Sequence, residues 1–336
     1  MVNLCSIFCL TIAFFVCLIY ASEVYREDCP VPHYYKVSEM KPKDAFDIEK
    51  MKFIAEEGLI DGLMILRNLP ANHGIVVEVA QVAASKGHLE FLREMYSMGL
   101  LQECCSPAIL DAASNGHTEC LEFLVRRLGT KYLSYEDSFG LMPIHLAAAK
   151  SQNPDTLRTI IALYPYYKPR FSCFRTSNVI SPLHEAIKNG MQDNARILLD
   201  NFPELINFKD TLGNTVIHLA AEYYDISMLE MLLTFAPPEI ISARNYEGDT
   251  ALHLGQSYVS CYEKHALLMR TGLFTGMERN NKGQTPIGAY RRTHDLKNSS
   301  TRIKLIEIFN LQTEEEFNEA LRIVPTEEPR KFGFFF

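Results

Sequence analysis

The sequence predicts an all-α fold, a solenoid of stacked helix-turn-helix units with β-turn tips, and three observations predict it. A tetrapeptide block recurs: Met142-Pro143-Ile144-His145, Ser181-Pro182-Leu183-His184, Thr215-Val216-Ile217-His218 and Thr250-Ala251-Leu252-His253, fading into Thr285-Pro286-Ile287-Gly288. Its fourth positions lie 39, 34, 35 and 35 residues apart. Asp or Asn followed three residues later by Gly precedes most blocks, and apolar residues at three-to-four spacing follow them. A period of this length means helical pairs too small to bury their own apolar faces, so that neighbours stack into one continuous core.

In chain order, the first element is a leader at 1–22. Leu4 to Ala21 is a run of eighteen residues without a charge. Ala21 and Ser22 are small enough for a cleavage site, although Ile19 departs from the usual small residue and no Lys or Arg precedes the run. Eighteen residues also lies in the range of a spanning helix. A cleaved signal peptide and a retained membrane anchor both stay open, and a buried core helix would have no polar face to show solvent. The first reading implies secretion, as of an exported effector. The second implies a single-pass tethered scaffold, whose membrane contact is this segment alone.

Residues 23–47 read as a linker, and the array is expected over 48–311 in about seven units, the terminal ones degenerate. Ile48 to Leu69 is amphipathic but lacks the block. Two units then show the other half of the pattern, Gly87-His88-Leu89 and Gly116-His117-Thr118, each preceded by paired alanines at 83–84 and 112–113. From residue 137 the turns become explicit: Asp137 with Gly140, Asp210 with Gly213, Asn245 with Gly248, and Asn280 with Gly283. Asp and Asn bond their own backbone two residues on, and Gly accepts the positive φ that other residues resist. Pro143, Pro182 and Pro286 fall at the first helical position, where the missing N–H costs nothing.

Small residues come next, Ala147 with Ala148 and Ala220 with Ala221, so that each first helix can approach its neighbour closely. The second helices carry the bulk, as in Leu157 and Ile160, Ile197 to Leu199, and Met228 to Leu233. The unit ending in His184 has Thr176 and Val179 where the turn's Asp and Gly should stand. Its extra length is aromatic and basic, Tyr164 to Phe171, and predicts a protruding loop. At 312–336 a C-terminal capping helix and tail are expected: Thr313 followed by Glu314, Glu315 and Glu316 is a capping box, with Phe317, Ala320, Leu321 and Val324 as its apolar side.

The formal net charge is −8 and no cationic face dominates, which argues against a nucleic-acid partner. Three of the nine cysteines lie in the leader. Cys120 sits in an apolar slot, where a thiol acts as a small hydrophobe, and Cys29 is the best candidate for a bridge in oxidising surroundings. There is no G-x-S-x-G, phosphate loop, H-E-x-x-H or Cys-x-x-Cys, so nothing points to an enzyme, a cofactor or a metal. Asn298-Ser299-Ser300 is a sequon that matters only in the lumen.

The recurrent blocks, turns and glycine–histidine junctions resemble the ankyrin repeat family, strongly for the units starting near Asp137, Asp210 and Asn245. The resemblance implies a curved solenoid of L-shaped units whose activity is binding another protein. It implies structural roles for His145, His184, His218 and His253, tying adjacent turns together, with His88 and His117 doing the same at the helix junctions. It also implies contact positions at the tips and on the exposed sides of the first helices. Matched by position, these are Phe139, Lys150, Lys188, Asn189, Leu212, Glu222, Tyr223, Tyr246 and Tyr258. The aromatic and apolar members have the composition of interface hot spots, unless they pack on the next tip and only build the array. One protein partner and a monomeric array are expected.

Overall fold

Short helices alternating with left-handed glycines leave the chain no option but to fold back on itself every dozen residues. The computed structural model describes residues 42–63, 73–102, 105–163, 181–223, 226–254, 261–290 and 299–323. Among these the regular elements are helices and there is no strand.

The first helix, α1 (Pro42–Glu56), starts six residues before the Ile48 expected to open the array. A Pro in the first turn, with φ already set for helix, accounts for the earlier start. A single 3₁₀ turn at Ile60–Gly62 follows. Pairs then succeed one another: α2 (His73–Lys86) with α3 (Leu89–Ser97), α4 (Pro107–Asn115) with α5 (Thr118–Leu128), and α6 (Pro143–Lys150) with α7 (Pro154–Leu163). After them come α8 (Pro182–Lys188) with α9 (Gln192–Asn201), and α10 (Val216–Tyr223) with α11 (Ile226–Phe235). The last elements are α12 (Cys261–Arg270), α13 (Pro286–Tyr290), α14 (Ser299–Ile308) and α15 (Glu314–Leu321).

First helices pack on first helices in file, α1 on α2, α2 on α4, α4 on α6, α6 on α8 and α8 on α10, while the second helices form a parallel file from α3 to α14. The sequence explains the division. Ala147, Ala148, Ala220 and Ala221 are buried between first helices, where a larger side chain would force the backbones apart. Leu157, Ile160, Leu198, Leu199, Leu229 and Leu232 fill the space beneath the second helices. Buried side chains from Met51 to Ala320 make one continuous hydrophobic cluster, as a stack that shares its faces requires. No helix among the described residues is long and apolar enough to cross a membrane.

Two helices differ from expectation. After Thr250 the anticipated first helix is a single 3₁₀ turn, Ala251–His253, and Leu254 is extended. At α15 the Thr313 hydroxyl accepts from Glu316 N at 3.1 Å, as a capping box requires, but the Glu316 carboxylate takes the amide of Gln312 rather than that of Thr313. Phe317 and Ala320 are buried as expected, and α15 packs on α13. Here the missing histidine at Gly288 finds its reason. Among the described residues no further Asx–Gly tip follows for an imidazole to reach, and the Thr285 hydroxyl donates directly to the Ala320 carbonyl. A Cβ at Gly288 would lie 3.3 Å from that same oxygen.

Candidate protein-interaction surface

Each described tip is built from one side chain upward. Asp210 Oδ1 accepts from Leu212 N at 2.9 Å and from Asn214 N at 2.8 Å, and Gly213, at φ 77°, returns its N–H to the Asp210 carbonyl. Asp137, Asn245 and Asn280 repeat the arrangement, so the residues between the Asx and the Gly are held outward.

Successive tips are then joined. Tyr246 N donates to Leu212 O at 3.0 Å, and Asn281 N to Glu247 O at 2.9 Å. Beneath them Asn245 Nδ2 donates to Asn214 Oδ1 at 2.9 Å and Asn280 Nδ2 to the Asp249 carboxylate at 2.7 Å, forming a ladder of side-chain bonds from turn to turn. A second ladder is cationic: Lys209 Nζ donates to Arg244 O at 3.3 Å, Arg244 Nη1 to Arg279 O at 2.7 Å, and Arg279 Nη1 to Arg322 O at 2.5 Å. Neither ladder was anticipated above. Its signal was in the sequence, since Lys209, Arg244 and Arg279 stand directly before the turn's Asx at intervals of 35.

The histidines lock the layer. His218 Nδ1 accepts from Thr215 N at 3.2 Å while its Nε2 meets Asp249 O at 3.0 Å; His253 pairs in the same way with Thr250 N at 3.1 Å and Gln284 O at 3.1 Å. His88 Nε2 reaches Glu56 O at 2.7 Å and His117 Nε2 reaches Ser85 O at 2.9 Å, at the junctions of the preceding units. These four make the inter-unit ties expected of the series, whereas the Nδ1 bonds of His145 and His184, to Met142 N and the Ser181 hydroxyl, lie within their own units. Among the described residues no three His, Cys, Asp or Glu side chains gather as a metal site.

On this rigid support the candidate contact residues divide. Phe139 (74 % exposed), Leu212 (63 %), Tyr246 (71 %) and Tyr223 (40 %) present apolar surface to solvent. Leu212 and Tyr246 stand on adjoining tips. The Tyr246 ring also lies over the preceding tip, where a Cβ on Gly213 would meet it at 2.8 Å, so it both builds the array and faces outward. Phe139 is on the tip of an earlier unit, and the turn that would follow it lies outside the described residues, as does Tyr258. So do the leader, Tyr164 to Phe171, and Asn298 of the sequon.

Lys150 and Asn189 are exposed at the ends of α6 and α8, and Lys188 and Glu222 are half-buried. Asn189 already has a task, since its Nδ2 donates to Glu185 O at 2.8 Å and so caps α8. Glu185 itself was overlooked above. It occupies the slot filled by Leu146 in the unit before and Leu219 in the unit after, counted from the shared histidine. Burial raises its pKa against the pull of Lys188 and Lys150. Burial likewise raises Glu222, helped by Asp210 and opposed by Lys188 and Lys264, and raises Asp111, which accepts from Gln81 at 2.9 Å and feels Lys150. The inner side of the first helices is thus a row of alternating charge with half-desolvated carboxylates.

Second helices reach under this row. Asn194 Nδ2, on α9, donates to Ser151 O at 2.9 Å at the end of α6, and the fully buried Lys264 Nζ, on α12, donates to Ala221 O at 2.6 Å near the end of α10. Donors at helix C-termini satisfy carbonyls that the helix leaves open. Cys105 and Cys120 are both buried, and Cys120 is a free thiol.

A family model described as "Ankyrin repeats (3 copies)" matches residues 109–206 and 183–272. Among solved structures, the chain resembles the human ASB11 ankyrin repeat domain at 19 % identity, covering 68 % of this chain and 96 % of that one, with a TM-score of 0.54. It also resembles the ankyrin repeat domain of Bcl-3, titled a unique member of the IkappaB protein family, at 18 % identity, covering 69 % and 97 %, with a TM-score of 0.52. The segment 109–272 thus matches the ankyrin repeat model, and the described residues form an all-α solenoid of helix repeats.

Proposed function

We propose that this array is a non-enzymatic binding module that holds one protein partner along its tips and the inner side of its first helices. The carrying observation is the pair Leu212 and Tyr246, two large apolar side chains held side by side in solvent on tips fixed by backbone hydrogen bonds. Pre-ordered apolar anchors cost little conformational entropy on binding, and such residues supply most of the energy of an interface. The alternating charges of Asp111, Lys150, Glu185, Lys188 and Glu222 run along the first helices of successive units and set which partner fits. Family habit places this surface on the concave side of the array.

The test is a crosslinking pull-down with the full chain and with a Phe139→Ala, Leu212→Ala, Tyr246→Ala variant. Capture of a defined protein by the wild type, lost in the variant with helical circular dichroism intact, is expected. Equal capture by both overturns the site.

The apolar run Leu4 to Ala21 supports routing into the secretory pathway, with cleavage near Ser22 and export of the array. The eighteen-residue length favours a second reading, a single-pass tether. N-terminal sequencing decides: a mature end near Ser22 supports export, and Met1 retained in a membrane fraction supports the tether.

A further inference from the structure

The histidines of the two ends of the array are bonded differently. His88 and His117 use Nε2 toward a carbonyl, and among the described residues no donor reaches their Nδ1. His218 and His253 also use Nε2 toward a carbonyl, and these two and His145 accept at Nδ1 from a backbone N–H, that of Thr215 at 3.2 Å, Thr250 at 3.1 Å and Met142 at 3.3 Å. A backbone N–H can only donate, so this ring nitrogen must be unprotonated. In His184 the Nδ1 lies 2.7 Å from the Ser181 hydroxyl, inside a fully buried site. Protonating Nδ1 would take the acceptor from the backbone N–H of Thr215 or Thr250, force the hydroxyls of Ser181, Thr215 and Thr250, at 2.7, 2.9 and 3.0 Å, to turn from donor to acceptor, and place a cation where water does not reach. A carbonyl-bonded Nε2–H of the His88 type is kept in either state.

We infer that acid opens the units from Ser181 to Tyr290 as one block, while the units carrying His88 and His117 stay closed. The coupling is geometric: His218 and His253 each reach into the next unit's turn, and His184 faces the backbone of Asn214 in the unit beyond it. Releasing one ring therefore loosens the turn that supports the next.

The charges facing each ring come from both sides of the joint. His184 feels Asp210 and Lys188; His218 feels Asp249, Asp210 and Lys209; His253 feels Asp249, Arg244 and Glu278. Burial outweighs the carboxylates in all three, holding His218 and His253 below the usual imidazole range and His184 down to about 4. A folded pKa below the unfolded one stabilises the closed block while the ring is neutral. That stability drains away as pH falls below about 6.5 and is exhausted below the folded value. For His184 alone, opening should grow about a hundredfold between pH 7 and pH 4. Leu212 and Tyr246 ride on the tips that open, so a partner held there would be released, a consequence that rests on the binding reading above.

Amide hydrogen exchange of the full chain by mass spectrometry, corrected for intrinsic pH dependence, tests the opening without any partner. Peptides within 181–290 should lose at least about tenfold protection at pH 4 while 73–128 keeps theirs. A His184→Gln, His218→Gln, His253→Gln variant should lose this pH dependence. Glutamine already serves at Gln81, six residues before Gly87 as His184 is before Gly190. The variant also separates the imidazoles from Asp210 and Asp249 in the same turns. Unchanged protection at pH 4, equal loss in both segments, or equal loss in variant and wild type overturns the inference. If the triple variant does not fold, imidazole titration of the wild type by NMR replaces it: opening must track ring protonation, and opening completed before the rings protonate overturns the inference.

Discussion

The Nε2 of His218 lies 3.0 Å from the carbonyl oxygen of Asp249, and the same ring accepts from Thr215 at its other nitrogen. One side chain therefore joins the start of its own helix to the turn of the next unit. His218→Ala would leave the buried Thr215 N–H unpaired, costing about 1–3 kcal/mol, and would take from the Asp249 carbonyl, which keeps Asn245 N, a second bond worth about 1 kcal/mol. We expect a loss of about 2–4 kcal/mol in urea unfolding at pH 7, against about 1 kcal/mol for His117→Ala, which gives up a single half-buried bond.

Gly87 shows how tightly the junctions are set. Its φ is 79°, and a Cβ there would stand 2.5 Å from Nδ1 of His117. Gly87→Ala should destabilise by more than the roughly 1–2 kcal/mol of left-handed strain alone. In the double variant with His117→Ala the clash is gone and the strain remains. A double-mutant cycle by denaturant melts should therefore show the two changes costing less together than their sum.

The Thr313 hydroxyl caps α15 through Glu316 N. Thr313→Ala should cost about 1 kcal/mol and speed hydrogen exchange chiefly within 314–321, and Thr313→Ser should restore it. Faster exchange through the whole array would mean that α15 contributes far more than a cap to the stack.

The Cys120 thiol, 1 % exposed on α5, is pushed up to about 11, first by burial and then by Glu119. Alkylation at pH 8 therefore finds almost no thiolate, and labelling of Cys120 should follow unfolding rather than reagent concentration. Site-resolved mass spectrometry of iodoacetamide-treated protein, native and in urea, checks this. Rapid native labelling would mean that α5 opens locally.

The last unit shows what a repeat pattern alone carries. Pro286 and Thr285 announce a helix, and α13 is there, but Gly288 in the histidine position made its end ambiguous. The answer lay in a different part of the chain, the Ala320 carbonyl that Thr285 reaches. Glu185 teaches the converse. Its neighbours in register are Leu146 and Leu219, so its departure from the apolar slot was visible in the sequence, although its partial burial was not.

What the sequence determined by itself is the unit. Period, turn chemistry, proline at the first helical position and the apolar stripes are local instructions, each acting within a few residues, and together they fix an all-α stack with outward tips. The tertiary structure alone decided how units hold one another. The ladders through Asn214, Asn245, Asp249 and Asn280 and through Lys209, Arg244 and Arg279 join residues 31 to 35 apart, and Leu212 meets Tyr246 across the same interval. Such contacts depend on the register in which preformed units dock. That register is set by shared burial over the whole interface, which no short stretch of sequence encodes.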